Sequence, residues 1–138
     1  MLDPSNVPAI DANELLARYI LSERHFSRDN RRVKSGAFLP ASNGELSVTR
    51  HRDATDNELW HVGRGIATTR QVTLYARGDV LAATCIDQRL NIEAAPIDGN
   101  PNHANIVGWP MHDKAARKAI AEEIALAARF VPLPEEQS

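Results

Sequence analysis

Residues 33–50 have the sequence VKSGAFLPASNGELSVTR and carry the clearest signal for the architecture of this chain. The central Asn43-Gly44 pair is typical of a hairpin, because both residues tolerate a positive φ angle. The residues on either side predict strands over 33–39 and 45–50. We expect a connection longer than two residues, because Pro40 cannot donate a hydrogen bond to a strand ladder. A hairpin at this position excludes an all-parallel sheet.

Helical patterns lie on both sides of the predicted hairpin. Asp11 and Glu14 have the spacing of a capping box and precede an apolar stripe. Thr55 and Glu58 form a capping box of the usual type, and Asp113 is expected to cap the last helix. The longer helices are therefore predicted at about 12–22, at about 56–69, and from Asp113 to about Val131.

The remaining patterns predict three further strands, over 72–76, 90–97 and 104–107, and a short helix that Asp79 caps and that runs to Ile86. The fold class predicted from this order is α+β. We expect one domain at 11–132, with a mixed sheet of four or five strands that includes the N-terminal hairpin, and three or four helices packed on it. Residues 1–10 are expected to be a flexible arm and residues 133–138 a frayed tail.

Composition limits the classes of protein to consider. The chain has 138 residues, 43% of them apolar, and a formal net charge of −2, which suits one globular domain and gives no general attraction to nucleic acid or membrane. Cys85 is the only cysteine, which excludes an internal disulfide, and we expect it to be a small buried hydrophobe. The first ten residues lack the pattern of a signal peptide, and no apolar run is long enough to span a bilayer. A cytoplasmic protein without a membrane partner is expected.

The segment NPNHANIVGWP, residues 100–110, concentrates turn formers, amides, a histidine and a tryptophan. His103 and Asn105 should share one face of a short strand, because side chains alternate along a strand. Trp109 either covers the core beside Gly108 or is exposed for a partner, as tryptophan often is at interfaces. We predict a protein-binding surface centred on His103, Asn105 and Trp109.

Residues 24–34 form a basic connection with a single acidic residue, Asp29. Its cations could contact phosphates while Phe26 stacks on a base, so nucleic-acid binding is an alternative function. The other interpretation is a solvated segment whose arginines pair with nearby carboxylates. The residues concerned are Arg24, Arg28, Arg31, Arg32 and Lys34.

A further alternative is a hydrolase or nuclease that uses His51, Asp53, His61 or His103. The sequence contains no nucleophile elbow and no complete phosphate loop, and the histidines lack the spacing of helical metal ligands. Neither a metal nor another cofactor is predicted. Gly63 and Gly65 lie inside a helical pattern, where we expect them to permit close packing or to mark an early helix end.

Four segments together resemble a group of small bacterial single-domain proteins of uncharacterised activity. These are VKSGAFLP at 33–40, the strand that ends at 47–50, the helix start at 58–60, and NHANIVGWP at 102–110 before a C-terminal helix. The similarity covers about residues 15–130. It implies a free-standing bacterial domain and assigns no catalytic residue.

Overall fold

The structure, a computed structural model, describes residues 2–135. Within that range the chain forms eight strands and three α-helices. The strands are β1 Leu15–Ile20, β2 Phe26–Ser27, β3 Arg32–Val33, β4 Leu46–Arg50, β5 Ala76–Leu81, β6 Asn91–Ala94, β7 His103–Val107 and β8 Arg129–Pro132. The helices are α1 Asp56–Arg70, α2 Ala82–Asp87 and α3 Lys114–Ala127.

The α+β class and the single domain are confirmed, but the sheet differs from the predicted one. It has six strands in the order β6-β7-β4-β1-β5-β8, rather than four or five, and every neighbouring pair is antiparallel rather than mixed. The sheet is antiparallel throughout because of the connection through α1. This helix leads from β4 to β5 across β1, so it joins two strands that are not hydrogen-bonded neighbours.

The predicted hairpin of 33–39 with 45–50 is wrong. Ser35–Phe38 is a turn of 3-10 helix that buries Ala37 and Phe38, and β4 pairs with β1 and β7 instead. Asn43-Gly44 does form a tight turn, with Gly44 at a φ angle of 80°. The antiparallel hairpin of this region is β2–β3, in which Phe26 opposes Val33.

The predicted helix at 12–22 is a strand, β1, at the centre of the sheet. The backbone N–H of Asp11 does donate to the Glu14 carboxylate at 2.9 Å, but this contact closes a turn before the strand begins. Leu16 and Ile20 are buried on one face of the sheet and Tyr19 on the other. Because β1 is buried on both faces, its apolar residues form a continuous run. A helical spacing fits that run as well as a strand does, which explains the wrong prediction.

Two other element boundaries are corrected. Asp79 does not cap a helix, because it is a buried residue of β5, and α2 begins after Leu81 without a side-chain cap. The last helix ends at Ala127, and Val131 belongs to β8 at the edge of the sheet. By contrast, the capping box of α1, the Asp113 cap of α3 and the strand over 104–107 are confirmed.

The sheet separates two unequal cores. On one face α2, α3 and the 3-10 turn enclose the larger core, which includes Leu16, Phe38 and Cys85. Burial raises the pKa of the Cys85 thiol to about 12, in line with a buried structural cysteine. On the other face α1 packs against Tyr19 and Leu74. It covers the half of the sheet that contains β1, β5 and β8, and the same face of β4 and β7 is left open.

The chain ends of the described range lie against the fold. The carbonyls of Pro8 and Ala9 accept hydrogen bonds from Arg50 at 2.8 and 3.2 Å, and Leu133 donates its backbone N–H to Tyr75. The last part of the predicted tail, residues 136–138, is outside the described residues. Among residues 2–135, no helix has both the length and the apolar character that crossing a membrane requires.

Candidate binding groove between α1 and the sheet

A groove runs between α1 and the open half of the sheet. Its larger part has a volume of about 620 Å³, with Ser47, Thr49 and His103 on the floor. One wall is α1, from His61 to Arg70, and the other is the turn at 97–100. A second hollow of about 350 Å³ continues the groove toward the start of α1, and Thr49, His61, Val62, Gly99 and Asn100 line both parts.

Two glycines of α1 explain why the helix sits close to the sheet on one side and leaves a groove on the other. A Cβ atom at Gly63 would lie 2.7 Å from the Tyr19 ring, so the absence of a side chain permits close packing there. A Cβ atom at Gly65 would meet nothing within 4 Å, and Gly65 lines the groove. The predicted packing role therefore holds for Gly63 and not for Gly65.

The groove floor is polar and held in place by hydrogen bonds. The Asn100 amide donates to the Thr49 hydroxyl at 3.0 Å, which ties the turn at 97–100 to β4. His103 Nδ1 lies 2.8 Å from the Ala95 carbonyl. Because a carbonyl can only accept, Nδ1 carries the proton in this contact, and Nε2 of the neutral ring is left as an acceptor. The floor thus presents Ser47 and the His103 ring to the groove, while Thr49 and Asn100 are buried.

Arg18 fills a gap in the sheet beside the groove. Strands β1 and β4 pair only through Leu16 and Ala17 and then separate. The Arg18 side chain donates to the carbonyls of Ala37 and Ser47, at 2.7 and 2.9 Å, so its guanidinium takes the place of the missing strand contacts. Burial, and to a smaller extent the charge of Arg70, lower the pKa of Arg18 to about 10. Arg18 is still cationic at neutral pH.

The half of the sheet beneath α1 contains a buried charge network. Arg77 Nε donates to both oxygens of Asp79 at 3.0 and 3.2 Å, and Nη2 donates to Asp56 at 2.8 Å. The Arg77 guanidinium also lies over the Trp60 ring, 4.7 Å from its centre. His51 Nε2 lies 3.1 Å from Asp79 Oδ1, although this contact lacks the alignment of a hydrogen bond. The network fixes the first turns of α1 to β5.

The network also shifts the pKa of Asp79. Burial alone would raise it, because a charged carboxylate is poorly solvated inside the protein. The contacts with His51 and Arg77 together outweigh burial and hold the pKa of Asp79 below its usual value of 3.8. Asp79 is therefore charged in the folded protein at neutral pH.

The residues predicted for partner binding separate into two groups. His103 and Asn105 lie on the same open face of β7, half-buried, as the alternation of the strand predicts. Trp109 is only 6% exposed, and its Nε1 donates to the Ile106 carbonyl at 3.0 Å. Trp109 is thus a cover for the larger core, and this placement removes it from any exposed contact surface.

The four residues considered for catalysis do not converge. His61 and His103 line the groove, and His51 lies in the charge network beneath α1. Asp53 is exposed in the loop before α1. Within residues 2–135, no three side chains among histidine, cysteine, aspartate and glutamate are grouped so that they could hold a metal ion. The arrangement brings two imidazoles, those of His61 and His103, to one groove.

The basic segment 24–34 is a surface hairpin. Its five cations are exposed, and in the described part of the chain none of them has a carboxylate within 4.0 Å. The predicted pairing of these arginines with acidic neighbours is therefore wrong. Phe26 is buried and stacks on Phe130 with ring centres 5.7 Å apart, so its ring is not free to stack on a base.

Sequence reasoning missed Arg18 and Arg70 as groove residues. The signal for Arg18 was a single charge inside the apolar run LLARYI at 15–20, which is unusual for a central strand. Arg70 is an exposed residue in the last turn of α1, and nothing in the sequence distinguishes it from other surface arginines.

Comparison with protein-family models, curated proteins and solved structures gives no match.

Proposed function

We propose that this protein is a binding domain that holds an extended segment of a protein partner in the groove along α1. The observation that supports the proposal best is the shape of the groove. It follows α1 from Asn57 to Thr69, a distance of about 18 Å at the helical rise per residue. About five residues of extended chain have that length. Its two parts also fall in the usual size range of ligand sites.

The chemistry of the walls suits a peptide. Val62 and Ile66 of α1 and Leu21 of the sheet side give apolar surface for side chains of the segment. Ser47 and His103 give hydroxyl and imidazole groups for its main chain. A peptide needs both kinds of contact, because its backbone polar groups must be satisfied when they leave water.

His103 and Asn105 of the predicted contact surface remain part of the proposed one. Its centre lies in the groove rather than at Trp109. The segment 100–110 contributes the floor strand and Asn100 of the wall turn, rather than an exposed tryptophan corner. Asn105 lies beside the groove, where its amide oxygen is 3.4 Å from the Ser47 hydroxyl.

Nucleic-acid binding through the hairpin at 24–34 is the second candidate. The observation in its favour is the set of five exposed cations without a carboxylate partner among the described residues. Phosphate contacts would give an affinity for DNA or RNA that falls steeply as salt is raised. Affinity that does not change with salt would exclude this candidate.

The test of the groove uses a display library of random peptides, selected on the wild-type domain. Gly65→Trp should block the groove, because the new side chain extends from an unobstructed wall position. Arg64→Trp adds the same bulk at the exposed neighbouring position of α1, which does not line the groove, and is the matched control. We expect selected peptides to lose at least about tenfold in affinity for Gly65→Trp and to bind Arg64→Trp as they bind wild type.

Two results would contradict the proposal. One is a selection that yields no peptide able to distinguish the Gly65→Trp domain from wild type. The other is an equal loss of affinity in both variants, since that would place binding on the solvent side of α1. Circular dichroism and urea unfolding of both variants establish that each is folded.

A further inference from the structure

The groove contains two arginines that lack an acidic partner. Arg18 and Arg70 both line its larger part. In the range 2–135, neither has a carboxylate within 4.0 Å. They are close enough that the charge of Arg70 lowers the pKa of Arg18. Two like charges held near each other in a partly enclosed site repel, and an anion between them relieves that repulsion.

Arg18 is well suited to a fixed role in binding. Its Nε and Nη1 are held by the carbonyls of Ala37 and Ser47, so the guanidinium is oriented before any ligand arrives. Its Nη2 has no acceptor among the described residues and is available to a ligand. Arg70, at the end of α1, is exposed and can move to meet a group placed beside Arg18.

We propose that the partner segment is acidic and that one of its carboxylates docks between Arg18 and Arg70, with one oxygen toward each guanidinium. This inference rests on the proposed function and adds the chemical class of the segment. A single negative charge fits the site best, because Asp98 lines the same part of the groove and would repel a more highly charged group. Thr69, one residue before Arg70, also lines this part of the groove.

The closing experiment compares Arg70→Gln with Arg64→Gln. Arg70→Gln removes one of the two charges without disturbing Arg18, which is part of the sheet. Arg64→Gln removes another exposed arginine of the same helix, outside the groove. Peptides that require an open groove should contain a conserved Asp or Glu, and should lose about tenfold in affinity for Arg70→Gln and little for Arg64→Gln. Replacement of that peptide residue by its amide should cause a similar loss.

The possible failures can be told apart. If groove-dependent peptides bind Arg70→Gln as tightly as wild type, the acidic segment is wrong and the binding groove stands. If no peptide depends on the groove, a titration with sodium acetate at constant ionic strength decides the anion site alone. Saturable shifts of the Arg18 and Arg70 side-chain N–H signals in NMR spectra, lost in Arg70→Gln, would support the site. The absence of such shifts would overturn it.

Discussion

At the scale of the residue, Gly63 and Gly65 are two positions apart in α1 but differ in what surrounds them. Gly63 packs against the Tyr19 ring, whereas a side chain at Gly65 would meet no other atom within 4 Å. Gly63→Ala is expected to lower the free energy of unfolding by about 1–3 kcal/mol, because the new methyl group would overlap the Tyr19 ring. That ring cannot easily move, since it is buried and its hydroxyl donates to the Leu59 carbonyl. Gly65→Ala should raise the free energy of unfolding by about 0.5–1 kcal/mol through helix propensity.

Urea unfolding of the two alanine variants and wild type measures both effects. The pair is internally controlled, because the chemical change and the helix are the same. Stabilisation by both substitutions would show that α1 does not pack on Tyr19 as described, and the groove geometry would then be wrong as well.

Asp79 provides a pH-dependent prediction at the same scale. Its pKa is lower in the folded protein than its ordinary value of 3.8. The charged form is therefore favoured by folding, and the resulting stability is present above about pH 4 and is lost as pH falls through the lower folded pKa. Asp79→Asn should lower the free energy of unfolding by about 3 kcal/mol at neutral pH, because it leaves the buried charge of Arg77 less compensated.

Urea unfolding at a series of pH values tests this prediction. The difference between wild type and Asp79→Asn should shrink as the pH falls below about 4. If the difference in free energy of unfolding stays constant from neutral to acidic pH, the charged form of Asp79 is not stabilised by its partners. Asp53→Asn is a suitable control, since Asp53 is exposed in the loop before α1.

At the scale of the element, α1 depends on its N-terminal cap. The Thr55 hydroxyl accepts from the Glu58 N–H at 3.1 Å, and the Glu58 carboxylate accepts from the Thr55 N–H at the same distance. Thr55→Ala should lower the free energy of unfolding by about 1 kcal/mol, because the backbone N–H of Glu58 at the helix end loses its hydroxyl partner. Thr68→Ala, at an exposed interior position of α1, should have little effect. Thermal or urea unfolding measures both, and equal stabilities would contradict the capping role.

The elements that the sequence predicted well are those defined by local contacts. The caps at Thr55 and Asp113 involve residues within one helical turn, so spacing alone reveals them. The alternation of His103 and Asn105 follows from strand geometry in the same way. β1 was mispredicted because its apolar residues serve two cores on opposite faces. Asp11 and Glu14 make the predicted local contact, but the residues that follow them form a strand because they pair with β4 and β5.

The candidate site was less predictable than the elements. His103 and its strand could be found from the sequence, but the groove exists only because α1 covers half of the sheet. Arg18 reaches the groove through the separation of β1 from β4, which depends on the whole sheet. Arg70 looks like any other surface arginine in the sequence, so its proximity to Arg18 could not be predicted. These residues come together through long-range packing, which spacing in the sequence does not encode.

At the scale of the whole molecule, the fold has one well-covered face and one partly open face. The larger core, behind α2 and α3, supplies most of the buried apolar surface, and Trp109 is part of it. The opposite face contains charged and polar groups, with Arg77 and Asp79 beneath α1 and Thr49 and His103 beside it. This division lets one side stabilise the domain while the other presents a groove.

The central claim is that this groove is the binding surface. The most direct measurement is a set of backbone amide NMR spectra of labelled protein during titration with a selected peptide. We predict that the largest shifts fall at 47–49, 61–70 and 97–105, which form the floor and both walls. Shifts concentrated instead on the hairpin at 24–34, or on the exposed side of α3, would contradict the account.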